Sequence, residues 1–183
     1  MELKNLLLQK SSTILEKWFD LILETYPADT KRFLKQQRDR FANPVGTAIS
    51  QEMERLFQGI VEGVETDKVY PSLERIIRIR AVQDFTPAQA VAFMFMLKGI
   101  IRAELGRDLR DQDLVDQLLA FESRIDELGL LAFEIYMKCR EKLYEIRMNE
   151  TRNQVSGLLR KAGLGCAVPG PEADQNPPKG PHG

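Results

Sequence analysis

The sequence predicts an all-α fold, a single helical bundle over residues 1–165 with a long C-terminal helix and a disordered tail over 166–183. Three observations carry that prediction. Apolar residues recur at three- and four-residue steps between prolines placed where helices begin or end. No stretch alternates apolar with polar residues between turn dipeptides, so no strand is expected. From Asp111 to Met148 there is no proline and one glycine, Gly129, which marks one long helix or two in line.

The elements follow in order. Leu7, Ile14, Leu15, Trp18, Phe19 and Ile22 form one stripe over 3–25, which Tyr26-Pro27 should end. A short basic segment, Lys31 to Arg40, comes next. Asn43-Pro44 reads as an N-cap with proline at the first helical position. It opens a helix whose stripe runs Val45, Ile49, Met53, Leu56, Phe57, Ile60 and Val64. A helix over Ser72 to Gln83 is expected to start just after Pro71. Thr86-Pro87-Ala88-Gln89 is a capping box. The helix it opens is apolar nearly all round (Val91, Phe93, Met94, Phe95, Met96, Leu97, Ile100, Ile101), the pattern of a central buried helix. Its methionines and phenylalanines are read as core filling, not a cofactor pocket.

In the last helix Phe121, Ile125, Leu128, Ala132, Ile135, Cys139, Leu143 and Ile146 step by fours and threes, close to a heptad seam. Phe133, Met137, Tyr144 and Met148 make a second stripe. Two stripes suggest a homodimer with the Phe121–Ile146 seam in its interface; the rival is a bundle that wraps this helix on both sides. The polar run Asn149 to Gln154 should separate a last apolar turn, Val155-Leu158-Leu159, capped by Gly163. Arg160-Lys161 suits either an acidic partner or the helix dipole. The tail holds five of the nine prolines and little that is apolar.

Composition narrows function. A hydrophobic content of 43% supports a core, and a net charge of −1 gives no reason to expect nucleic acid. The densest apolar stretch, Ala90 to Leu97, is too short to span a membrane. The opening Met-Glu-Leu-Lys-Asn is no signal peptide, so a cytoplasmic protein is expected. The one histidine, His182, sits in the tail, and Cys139 and Cys166 form no CxxC pair. No His-based triad, His-ligated zinc or proximal-His haem can be assembled, so no metal or cofactor is expected. Phosphate-loop, dinucleotide, HExxH and nucleophile-elbow motifs are missing too, and the chain is expected to bind rather than catalyse.

One local anomaly stands out. Leu73, Ile76, Ile77 and Ile79 define an apolar arc, and Arg80 and Asp84 fall in its middle, four residues apart. Two readings stay open: a structural salt bridge pinning the entry to the central helix, or an Arg lining a pocket for a small anion or a partner's carboxylate.

Two stretches, LERIIRIRAVQDFTPAQA from Leu73 to Ala90 and FANPVG from Phe41 to Gly46, resemble the N-terminal domain of RsbRD-type proteins, the RsbT co-antagonists of the stressosome. The resemblance implies an all-helical, sensor-like domain, often dimeric, with a globin-like relative topology that lacks haem. In that family a STAS output domain usually follows. Here only 23 residues follow residue 160, short of the ~100 residues such a domain needs, so a stand-alone form is expected. The resemblance thus implies a regulatory protein-binding module with a protein partner. Stand-alone members also resemble proteins found near sulfite-reduction membrane complexes, which implies, as the other reading, an accessory or assembly factor of such a redox complex.

Overall fold

In the computed structural model the described residues are 2–36, 43–83, 85–106, 108–109 and 111–163. Among them every regular element is a helix: α1 (Leu3–Gln9), α2 (Ser11–Glu24), α3 (Ala28–Gln36), α4 (Pro44–Glu62), α5 (Thr66–Ala81), α6 (Pro87–Leu105) and α7 (Gln112–Lys161). The chain divides into two compact units, Met1–Lys142 and Leu143–Gly183.

Local chemistry explains the helix ends. Asn43 caps α4 by accepting from the Gly46 amide at 2.8 Å, while its Nδ2 donates to the Leu34 carbonyl at 2.9 Å. A Cβ on residue 46 would come within 2.4 Å of Asn43 Nδ2, so this two-way cap needs glycine there. Gly63, at φ 71°, closes α4 in the left-handed region, and the Val64 amide reaches back to the Gly59 carbonyl at 3.1 Å. Thr86 and Gln89 complete the reciprocal capping box of α6. Gly163, at φ 70°, follows the end of α7.

The first unit is built around α4 against α5 and α2 against α6. Its core takes Ile14, Trp18 and Ile22 from α2, Ile49, Met53 and Leu56 from α4, Leu73, Ile76 and Ile77 from α5, and Phe93, Met94 and Leu97 from α6. Trp18 stacks on Phe93 at 5.9 Å and its Nε1 donates to the Phe93 carbonyl at 2.6 Å, fixing α2 on α6. Side chains tie α7 to the same bundle. Glu122 accepts two bonds from Arg102, Asp126 accepts from Lys98 at 2.9 Å, and Gln117 accepts from the Leu3 amide at 2.9 Å.

Four expectations are corrected. The run over 3–25 is two helices, because Lys10 leaves helical geometry (φ −98°, ψ 7°) and sends Nζ to the Glu104 carbonyl and Asp108. Pro71 lies inside α5, which begins five residues earlier at Thr66. Gly63 has already ended α4, and burial of Val69 and Leu73 on one face favours helix through the proline, whose ring is exposed. The helix α6 is not buried all round, since Phe95 and Met96 are exposed. Finally, α7 continues through Asn149 to Gln154, where Thr151 Oγ1 bonds back to the Arg147 carbonyl at 2.9 Å instead of capping a new helix.

In the second unit α7 runs on to Lys161. Tyr144, Ile146, Met148, Val155 and Leu158 are all exposed there. The expected tail over 166–183, with Cys166 and His182, lies outside the described residues.

Candidate functional site

The apolar arc of α5 encloses Arg80 completely, at 0% exposure. Its Nε donates to the Ala90 carbonyl at 3.0 Å, and Nη2 donates to the Gln89 carbonyl at 2.9 Å and to Thr25 Oγ1 at 3.0 Å. The Thr25 hydroxyl in turn donates to the Ile22 carbonyl at 2.6 Å. The guanidinium lies 4.3 Å from the centre of the Phe85 ring and 5.6 Å from that of Tyr26, and the two rings meet edge to face. One cation thus joins the end of α2, the end of α5 and the start of α6. Its place in the last turn of α5 suits the helix dipole.

The polar groups here are incompletely satisfied. Arg80 Nη1, Tyr26 OH and Gln83 Oε1 are buried against one another, the Tyr26 hydroxyl interacting with both Arg80 and Gln83, although none of the three reaches full hydrogen-bond geometry. Burial lowers the Arg80 pKa and raises that of Tyr26, the neighbouring guanidinium pulling the latter partly back. Asp84, the expected partner of Arg80, lies outside the described residues, and among the described residues no carboxylate pairs with Arg80. The connection above the site is held from α7: Tyr136 OH donates to the Phe85 carbonyl at 2.7 Å and Arg140 Nη1 to the Ala81 carbonyl at 3.1 Å.

The expected dimer seam is largely used inside the chain. Ile125, Leu128, Ala132 and Ile135 are buried in the first unit's core, and Phe121 and Cys139 are half-buried against it. The ties at Gln117, Glu122 and Asp126 fix that phase of α7, as in the expected alternative of a bundle that packs this helix against its own earlier helices. In the second unit Leu143 is half-buried and Ile146 exposed. The outer face of α7 in the first unit is a different set: Leu130 is 68% exposed, Phe133 44% and Met137 38%. Phe95 of α6 borders this face, since a Cβ on Gly129 would stand 2.4 Å from its ring.

Other places offer less. An open cleft of about 440 Å³ between α2, α3 and α4 is lined by Glu16, Phe19, Asp20, Lys35 and Gln51, with Lys35 paired to Asp20 at 2.9 Å. Buried Glu52 is held by Arg55 at 2.8 Å and Arg75 at 2.7 Å. Among the described residues no group of three or more His, Cys, Asp or Glu side chains could hold a metal ion, and no helix is long and apolar enough to cross a membrane. Sequence reasoning missed Tyr26, Gln83 and Phe85. Tyr26 reads only as a helix stop, and nothing in the residue types reveals that the connection folds its aromatic ring over Arg80.

No solved structure matches the chain. An uncharacterized protein of Archaeoglobus fulgidus is 26% identical over 153 residues, covering 81% of this chain and 88% of the relative. The family model described as the RsbT co-antagonist protein RsbRD N-terminal domain matches residues 12–151. A match over that share of the sequence settles the family, and the chain belongs to the RsbRD N-terminal domains of the RsbT co-antagonist proteins.

Proposed function

We propose that this chain is a non-enzymatic regulatory module of stressosome type that acts in the cytoplasm by binding protein, and that it pairs with a second copy of itself along the outer face of α7. The observation carrying the reading is the exposure of Leu130, Phe133 and Met137 on α7 and of Phe95 beside them. Family membership supports the regulatory role. A binding function is supported by the fact that, among the described residues, the buried carboxylates of Glu52 and Glu122 are each locked to arginine.

A second copy suits this face because its apolar stripe is its own complement: under twofold symmetry Leu130, Phe133 and Met137 of one helix meet the same residues of its mate.

The test is the double substitution Phe133→Asp and Met137→Asp, followed by sedimentation equilibrium at tens of micromolar. A helical, folded monomer is expected, against a dimer for the unmodified protein. An unmodified protein that sediments as a monomer overturns the proposal.

A further inference from the structure

Between α2 and α4 the first unit leaves a groove that its packing does not fill. The wide part, about 440 Å³, runs past Glu16, Phe19 and Asp20 of α2 and Thr47 and Ser50 of α4, and Lys35 of α3 bounds it. A narrower hollow of about 150 Å³ shares Glu16, Phe19 and Ser50 with it and continues to Met53 and Glu54. Together they have the size of a small-molecule site, roughly 300–1,000 Å³.

The charged side chains lining the groove are Glu16, Asp20, Glu54 and Lys35. Three carboxylates against one ammonium leave two negative charges uncompensated. Glu16 and Asp20 lie one helical turn apart on α2, a like-charge pair that destabilises the helix when left alone. Lys35 relieves Asp20, to which it pairs at 2.9 Å. The hydrogen bond and charge of Asp20 raise the Lys35 pKa, with smaller pulls from Glu24 and Glu16. The groove thus already holds one ammonium group among its carboxylates, supplied by the chain itself. Glu16 and Glu54 form no ion pair among the described residues. The narrower hollow sets the apolar side chains of Leu15, Phe19 and Met53 beside these two acids.

Shape separates the cations that would balance this charge. Among the described residues no three acidic side chains lie close enough to hold a metal ion, so a compact divalent ion has the wrong form. A cation that divides two charges along an apolar body fits the same residues, since its methylenes cover the floor and an aromatic ring suits a neighbouring ammonium. We propose that this groove binds a linear aliphatic diamine, with its chain laid over Phe19 and Met53, one ammonium held by Glu16 with Asp20, and the other by Glu54. No lining residue belongs to α7, so the site is independent of the pairing proposed above.

A nuclear magnetic resonance titration of the isotope-labelled full chain with diaminopentane at fixed ionic strength tests the proposal. Amide signals of residues 15–20 and 47–54 should move together and saturate. Pentylamine and magnesium chloride should each need several-fold higher concentrations to do the same. Glu16→Gln and Glu54→Gln should each weaken diamine binding by about fivefold, the reach of one exposed ion pair. Glu65→Gln, an exposed change at the start of α5, should leave it unaltered. All three replace exposed side chains and keep the fold. The monomeric Phe133→Asp, Met137→Asp protein should bind the diamine as the parent does, so failure of the pairing and failure of this site are told apart. Shifts spread evenly over exposed acids throughout the chain overturn the proposal, as does an affinity unchanged in both Glu16→Gln and Glu54→Gln. Equal binding of pentylamine and diaminopentane overturns it as well.

Discussion

The helices α4 and α5 approach closely at Gly59, which gives a sharp test of the packing. A Cβ on residue 59 would stand 2.4 Å from Val69 Cγ1 and 3.3 Å from Val64 Cγ2. Gly59→Ala therefore sets two effects against each other. Replacing a helical glycine gains at most about 1 kcal/mol. Forcing a methyl into a filled interface costs roughly 1–3 kcal/mol, because the branched Val69 side chain has no room to swing away. Overpacking should win by about 1–2 kcal/mol, a drop of roughly 2–4 °C in melting temperature per kcal/mol for a chain of this size. Gly99, inside α6, is the control. A Cβ there meets nothing within 4 Å, so Gly99→Ala should gain about 1 kcal/mol from propensity alone. Adding Val69→Ala to Gly59→Ala removes the clashing methyl, and the pair should lose less than the sum of the two single changes. Urea unfolding followed by circular dichroism reads all four variants. If Gly59→Ala stabilises as Gly99→Ala does, the approach of α4 to α5 is looser than described and the reasoning fails.

Two further outcomes follow from single side chains. Trp18→Phe removes the donor to the Phe93 carbonyl and leaves part of the indole volume empty, for a loss of about 2–4 kcal/mol in urea unfolding; a variant as stable as the parent would mean that α2 does not key into α6 there. Burial would raise the carboxyl pKa of Glu52, but hydrogen bonds from Arg75 and Ser72 and the charges of Arg55 and Arg75 together bring it below its ordinary 4.5. Its ionised form therefore stabilises the fold above that pH, and the contribution is lost as pH falls through the lower folded value. Glu52→Gln should be less stable at neutral pH and show a shallower acid decline below about pH 4.5; parallel stability–pH curves for the two proteins would contradict the linkage.

How much could be read from the residues depended on how local the deciding physics was. The caps at Asn43 and Thr86 are local chemistry between neighbours in sequence, and both are formed. Pro71 misled because a proline usually marks a boundary. Here the boundary belongs to Gly63, and the buried faces of Val69 and Leu73 hold the helix together across the ring. The phase of α7 is a tertiary matter: its two apolar stripes look alike in sequence, and only the bonds from Arg102, Lys98 and the Leu3 amide decide which one turns inward. The burial of Arg80 was legible from the spacing of Leu73, Ile76 and Ile77. Its partners were not, because two of them are backbone carbonyls, which every residue carries and no sequence distinguishes.

The long helix has one backbone and two kinds of support. Between Leu114 and Tyr136 its amides sit behind residues packed into the core, so releasing their protons to solvent requires a large part of the first unit to come apart. From Leu143 to Lys161 no residue is buried, and an isolated helix of such length is marginal in water, even with the preceding turns to nucleate it. Hydrogen exchange should thus divide α7 into a slow stretch and a fast one without any break in its hydrogen-bond ladder. A surface that docked on the fast stretch would meet a segment already helical, at a smaller entropic cost than folding a coil would demand.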